Sequence, residues 1–180
     1  MGLVDRSLVI SLAKPMVRRW EGLSLVPYRC PAGVLTIGYG HVITSKDEWM
    51  KGGITKQQAE EILEKDLERV LDGVLSLLEV ELPSECLAAL VSFCFNVGLG
   101  AFRGSTMRRL INQGRLKEAA NEFDKWVYAY SPKEGRKVVL RGLVRRRADE
   151  KQLFLQGVEK FAGKEDLLSK IFSIFRSWFV

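Results

Sequence analysis

Glu21, Cys30 and Thr36 place a carboxylic acid, a thiol and a hydroxyl within one stretch of sixteen residues that follows Trp20 and also carries Leu23, Leu25, Val26 and Tyr28. A carboxyl group among apolar neighbours has its charged form disfavoured, which suits Glu21 to donating a proton. Hydrolysis of a glycosidic bond needs such an acid on one side of the bond and a base or nucleophile on the other. Aspartate is the usual second group. A thiol serves in its place only through an accessible thiolate. Arg29 adjoins Cys30, although neighbouring residues in a strand point to opposite faces. A threonine hydroxyl can hold a water. Cysteine in a short strand is also commonly a small core hydrophobe, so the three residues alone leave a structural alternative open.

The segment Thr36-Ile37-Gly38-Tyr39-Gly40-His41 reads as strand and turn. The chain after Glu21 therefore folds back, and the three side chains can meet at one cleft wall. Residues 5–19 predict an amphipathic helix with Leu8, Leu12 and Met16 on one face. Strand formers Val34, Leu35 and Ile37 fall in a loop-and-strand region from about Pro27 to Ile43. Thr55 and Gln58 form a capping box, and Ala59, Ile62, Leu63, Leu67, Val70 and Leu71 recur at helical spacing behind it. From Ser84 the pattern is mainly helical. Gly98 and Gly100 break it, and Ser105 is a candidate N-cap. Leu116 to Tyr128 predicts a further helix and Ser131 to Gly135 a turn. Arg141 to Gln156 predicts a basic helix with Leu143, Ala148, Leu153 and Phe154 facing inward. A small mixed lobe, a long helix and a helical lobe follow in order, with the natural substrate cleft between the lobes.

The 180 residues suit one domain or one with two lobes, and 47% hydrophobic residues suffice for a core. A net charge of +6 fits nucleic acid, an anionic membrane or an anionic cell wall. The basic run Lys133, Arg136, Lys137, Arg141, Arg145, Arg146, Arg147 carries no helix-turn-helix, zinc or RNA-binding signature, so nucleic acid is not an expected partner. Cys86 and Cys94 stand two helical turns apart, ~12 Å at 1.5 Å per residue, too far for a disulfide. A reducing cytoplasm suits such cysteine usage. The apolar segment Leu8 to Ala13 is too short for a secretory signal or a spanning helix. His41 is the one histidine.

Residues 163–180 alternate a broad apolar face (Leu167, Leu168, Ile171, Phe172, Ile174, Phe175, Trp178, Phe179) with Ser169, Lys170, Ser173, Arg176 and Ser177. Two uses are open: docking on the helical lobe, or lying in a membrane interface. The expected division is a two-lobed domain over residues 1–160 and an amphipathic helix over 161–180.

The order Glu21, eight residues, Cys30, five residues, Thr36, then Gly38-Tyr39-Gly40-His41 resembles the catalytic signature of the phage-type (T4-lysozyme-like) lysozymes and endolysins. Gly53 to Glu60 is similar to the start of that family's long connecting helix, and Ala89 to Gly98 to its central buried helix. Arg141-Gly142-Leu143-Val144-Arg145-Arg146-Arg147 is close to its Gly-Leu-x-x-Arg-Arg run. The resemblance covers about residues 15 to 157. It implies a lysozyme-like, mainly α fold of the α+β kind, with short β-hairpins in the N-terminal lobe. It also implies muramidase action on bacterial peptidoglycan, with Glu21 as acid, Cys30 in the aspartate role and Thr36 on the water. Phe95 and Asn96 match cleft positions. An arginine, Arg145 or Arg146, is expected to pair with Glu21, and His41 with Asp66 as a structural pair. No metal or cofactor is implied. A monomer is expected, made in a host cytoplasm and reaching the wall after a holin opens the membrane. Two departures stand out: Cys30 replaces the commoner Asp, and Arg141 stands where many relatives carry Pro. The alternative function is a membrane-active binding protein on a lysozyme scaffold, using residues 163–180.

Overall fold

The computed structural model describes residues 4–30 and 33–178, with side chains described as far as residue 163. Helix α1 (Arg6–Glu21) is capped by Asp5, whose carboxylate accepts from the Leu8 N–H at 2.9 Å. Its buried stripe is Val9, Ile10, Ala13 and Val17. The stripe expected on Leu8, Leu12 and Met16 lies to one side of this: Leu8 is exposed and the other two are half-buried. The reason is that α1 lies against two helices at once, so the face between them is the one covered.

Strands β1 (Ser24–Arg29), β2 (Leu35–Gly38) and β3 (His41–Val42) form an antiparallel sheet in the order β1-β2-β3. Tyr28 stands opposite Thr36, and Thr36 opposite Val42. A short 3-10 turn (Glu48–Gly52) burying Met50 leads to α2 (Lys56–Leu75). The Thr55–Gln58 capping box is complete: Thr55 accepts from the Gln58 N–H at 3.1 Å, and Gln58 from the Thr55 N–H at 2.7 Å. Two helix-end donors are thereby satisfied reciprocally. Ala59, Leu63, Leu67, Leu71 and Val74 are buried along α2.

Helix α3 (Ser84–Val97) is buried at every position from Cys86 to Cys94. A helix apolar all round has to be central, and α3 packs against α1, α2 and the last helix. Around it follow α4 (Leu99–Arg103), α5 (Thr106–Asn112) and α6 (Leu116–Glu122). Ser105 caps α5 by accepting from the Arg108 N–H at 3.1 Å. The Phe93 ring meets Phe102, Phe123 and Trp126 edge-on, with centroids 6.4, 5.4 and 5.2 Å away. Such edge contacts add about 0.5–1.5 kcal/mol each beyond burial.

The helix expected from Leu116 to Tyr128 stops at Glu122, and after a 3-10 turn (Phe123–Lys125) the chain forms a hairpin of β4 (Tyr128–Ser131) and β5 (Arg136–Val139). Aromatic and β-branched residues flank the turn on both sides, and they favour a pleated ribbon over a helix. Helix α7 (Arg141–Trp178) then runs unbroken through the boundary expected at residue 160. Ala148, expected inward, is exposed, because Arg146, Arg147, Glu150 and Phe154 occupy the inner face. The apolar face expected over residues 163–180 lies outside the described side chains. Among the described residues no helix is long and apolar enough to cross a membrane.

Candidate active site

Glu21 is the last residue of α1, and the chain leaves the helix there to enter β1. Its carboxylate is held from α7: Arg146 Nη1 donates to Glu21 Oε1 at 2.5 Å. The side chain of Arg146 is 4% exposed and that of Glu21 22%. The other nitrogens of Arg146 are engaged in the core, Nε with Glu150 Oε1 at 3.1 Å and Nη2 with the Ser92 carbonyl at 3.1 Å. Ser92 Oγ donates to the same Glu150 oxygen at 2.8 Å. Arg147 completes the network, with Nη2 3.2 Å from Glu150 Oε1 and 3.1 Å from Asn96 Oδ1, and its guanidinium over the Phe93 ring at 4.9 Å.

Burial pushes the Glu150 carboxyl up, and Arg147, Arg146 and the Ser92 hydroxyl pull it the other way. Burial likewise lowers Arg147, opposed first by Glu150. A buried carboxylate bracketed by two guanidiniums makes Arg146 a rigid arm rather than a mobile surface chain. Arg145, one residue away, is exposed.

Phe95, at the end of α3, is half-buried, and Asn96 beside it is exposed. Gly40, in the turn between β2 and β3, backs onto both Glu21 and Phe95. A Cβ there would stand 3.8 Å from Glu21 Oε2 and 3.9 Å from the Phe95 ring, at a φ of +95° that side chains rarely adopt. Cys30 lies immediately beyond β1 and is half-buried. Its N–H donates to the Val34 carbonyl at 3.0 Å, and its carbonyl accepts from the Gly33 N–H at 2.8 Å. Tyr28 shares a neighbourhood with Glu21 and Cys30: its phenol is pushed up, first by burial and then by those two charges. Thr36, opposite Tyr28, is buried and donates its hydroxyl hydrogen to the Val34 carbonyl at 3.0 Å. Its remaining capacity toward a water is as an acceptor.

His41 Nδ1 stands 2.8 Å from Asp66 Oδ2, tying β3 to α2, and Asp66 also takes Arg69. The hydrogen bond to Asp66 raises His41 above its ordinary value, against the opposing effect of burial. Beside this pair lies a cleft of about 420 Å³ bounded by Gly40, His41, Asp66, Arg69, Phe95 and Leu99. Sequence reasoning missed Ser92, Arg147 and Glu150. The spacing of Glu150 three and four residues beyond the two arginines on one helix carried a signal for the pairing, while Ser92 carried none.

Residues 18–150 match the profile of the Phage lysozyme family. The chain is 40% identical over 158 residues to the endolysin of Bacillus phage PZA, covering 87% of this chain and 58% of that protein. It thus spans little more than half the length of the Bacillus phage endolysins it matches. It is 36% identical over 137 residues to the SAR-endolysin of Enterobacteria phage PA-2, covering 76% of this chain and 78% of the other. Among solved structures, the muramidase domain of SpmX from Asticcacaulis excentricus superposes with a TM-score of 0.70 at 36% identity, over 86% of this chain and 99% of that one. The endolysin of Escherichia coli phage FAHEc1 superposes with a TM-score of 0.70 at 31% identity, over 86% and 94%. Because the profile match runs over residues 18–150 and takes in the paired Glu21 and Arg146, the chain belongs to the phage lysozyme family.

Proposed function

We propose that this protein is an endolysin-type muramidase, hydrolysing the β-1,4 bond between N-acetylmuramic acid and N-acetylglucosamine in bacterial peptidoglycan during phage-driven lysis. The observation that carries the reading is the Glu21 carboxyl, fixed by a buried arginine of α7 and backed by a glycine turn and Phe95. Such fixation supports a general acid that must meet one oxygen of one bond.

In the proposed mechanism Glu21 gives its proton to the leaving oxygen as the bond to the anomeric carbon breaks. Cys30 acts from the other side in the role that aspartate usually fills. Its thiolate either removes a proton from the attacking water or attacks the anomeric carbon, forming a thioglycosyl intermediate that water then hydrolyses. In both courses the sugar gains a hydroxyl at the anomeric carbon; in the first the Cys30 thiol gives the water's proton up to solvent and Glu21 is reprotonated from solvent, and in the second Glu21 takes its proton back from the hydrolysing water. Thr36 accepts a hydrogen bond from the water and so orients it. Phe95 and Asn96 line the substrate side, Arg146 holds Glu21 from the core, and His41 with Asp66 holds the β2–β3 turn against α2.

Turbidity loss of purified peptidoglycan across pH tests this with the parent protein, Glu21→Gln and Cys30→Ser. Lysis by the parent and its loss in both variants is the expected result. Lysis surviving in Cys30→Ser reduces Cys30 to a structural residue, and no lysis by the parent overturns the muramidase reading. Release from the host cytoplasm through a holin, a monomeric state and membrane contact through residues 163–180 belong to the same proposal. Unchanged vesicle binding on deletion of those residues would sink the last.

A further inference from the structure

The β4–β5 hairpin pairs Tyr128 with Val139 and Tyr130 with Lys137. Directly opposed residues share a face, as do residues two apart along a strand. Tyr128, Tyr130, Lys137 and Val139 therefore stand on one face, and all four are exposed. Ala129 and Val138, on the other face, are half-buried. Among the described residues no other element packs broadly on β4 or β5. The apolar surface continues into α7. The Leu140 N–H donates to the Val127 carbonyl at 2.9 Å, which extends the hairpin by one rung, and the Val144 N–H donates to the Leu140 carbonyl at 3.0 Å, one helical turn on. Tyr128, Lys137 and Leu140 border one groove. Tyr128, Tyr130, Val139, Leu140 and Val144 are between 43% and 64% exposed. Single exposed apolar side chains are ordinary, but a group of them on adjoining elements marks an interaction surface.

The same segment is basic. Lys133, Lys137, Arg141 and Arg145 are exposed, and they form no ion pair among the described residues. Arg136 pairs with Glu134, the only acid between Tyr128 and Ala148. The acids next along the chain are already taken, Glu122 by Lys125 and Asp124 by Lys151. Arg146 and Arg147 are spent in the core on Glu150. What faces solvent is an apolar ribbon rimmed by cations that lack counter-charges in the protein.

We propose that the β4–β5 hairpin and the first turn of α7 form a docking surface for an anionic lipid bilayer, independent of the muramidase reading and separate from residues 163–180. Tyrosine has an apolar body and a polar tip, which suits Tyr128 and Tyr130 to the headgroup level. Val139, Leu140 and Val144 enter the boundary with the acyl chains, and the lysines and arginines reach lipid phosphates. A hydrated anionic polymer, whether of the wall or a nucleic acid, uses the cations but leaves the three aliphatic side chains in water, where burial contributes nothing. The charge contrast lies at the hairpin rather than the tail, because residues 163–180 set Lys164, Lys170 and Arg176 against Glu165 and Asp166. Docking of this kind is reversible and weakens with salt.

Co-sedimentation of the full chain with vesicles tests this, comparing pure phosphatidylcholine with an equimolar mixture of phosphatidylcholine and phosphatidylglycerol. The parent should bind the mixed vesicles more tightly, and added salt should reduce that excess. Lys133→Gln/Lys137→Gln/Arg141→Gln should weaken partitioning onto the mixed vesicles about a hundredfold, at roughly fivefold per cation. Tyr128→Ser/Tyr130→Ser should weaken it about tenfold and keep the preference for the mixed vesicles. Equal binding of the parent to both compositions overturns the proposal. An excess that survives the triple variant also overturns it, and assigns the contact to residues 163–180. An excess lost with the cations but untouched by the tyrosine variant overturns it in favour of a hydrated polyanion, which parallel binding to inorganic polyphosphate reads. Unchanged thermal midpoints establish that the surface variants fold.

Discussion

One guanidinium joins Glu21 to Glu150: Arg146 Nη1 lies 2.5 Å from Glu21 Oε1, and its Nε lies 3.1 Å from Glu150 Oε1. The candidate acid at the cleft is thus anchored to a carboxylate with no exposure at all. Position at the cleft and stability of the helical lobe depend on the same three side chains.

Glu150→Gln should therefore cost both. It leaves Arg146 and Arg147 buried without their shared counter-charge, a change of about 3–5 kcal/mol in unfolding free energy. Urea denaturation reads the stability, and the lysis rate of the folded fraction reads the positioning. A variant as stable as the parent would mean that solvent reaches the two arginines.

Arg146→Lys keeps a positive charge but loses the fork that spans two carboxylates. The expected result is a fall in kcat of about 10–100-fold, with KM for the glycan little changed. An unchanged kcat would show that Glu21 needs no partner from α7.

The His41–Asp66 contact makes stability depend on pH in a stated direction. His41 is raised above its ordinary value of 6.5, chiefly by the hydrogen bond it donates to Asp66. The folded state thus binds the proton more tightly than the unfolded chain does. Its stabilisation is fully present below about pH 6.5 and is lost as pH rises through the raised folded value. Asp66→Asn should remove about 1–3 kcal/mol at pH 5.5 and less at pH 8.5. Thermal melts of both proteins at the two pH values check this, and a loss that grows with pH would contradict it.

Cys30→Asp tests the catalytic role proposed for Cys30 directly. An aspartate, with an ordinary value near 3.9, is ionised throughout pH 6–8, whereas a thiol becomes a better base or nucleophile as pH rises. The variant should retain lysis and flatten the rise between pH 6 and 8. A pH profile identical to that of the parent would remove Cys30 from the chemistry.

Gly157 marks a close approach of α7 to α3. A Cβ there would lie 2.7 Å from Cys86 Sγ and 2.9 Å from the Cys86 backbone nitrogen. The sulfur is buried, donates to the Phe154 carbonyl at 3.2 Å, and has its thiol pushed up to about 12 by burial. Neither backbone nor buried thiol can yield cheaply, so Gly157→Ala should destabilise by about 1–3 kcal/mol. The shift in urea midpoint measures it, and no shift would mean that the two helices slide apart at little cost.

Much of the scaffold was legible in residue order because it rests on local rules. Thr55 and Gln58 announce the start of α2 by a reciprocal bond only three residues long. The unbroken apolar run of α3 requires a central helix, and Gly38 and Gly40 require a turn before His41. The local pattern misled where two local preferences competed. Around Trp126 to Val139, helical periodicity ran into a strand and turn sequence, and cross-strand pairing won.

The sequence by itself determined which reactive groups are present and in what order: a carboxyl, a thiol and a hydroxyl at Glu21, Cys30 and Thr36, and a cluster of arginines far along the chain. It did not determine which arginine crosses to Glu21. Consecutive residues on a helix point about 100° apart, so Arg145, Arg146 and Arg147 compete for one inner face until α7 docks. Only packing of α7 on α3 decided that Arg146 reaches Glu21, that Arg147 turns to Asn96, and that Arg145 faces water. Glu150 and Ser92, 58 residues apart, meet for the same reason. Burying two guanidiniums is tolerable only where a carboxylate and a hydroxyl are brought to them by the fold.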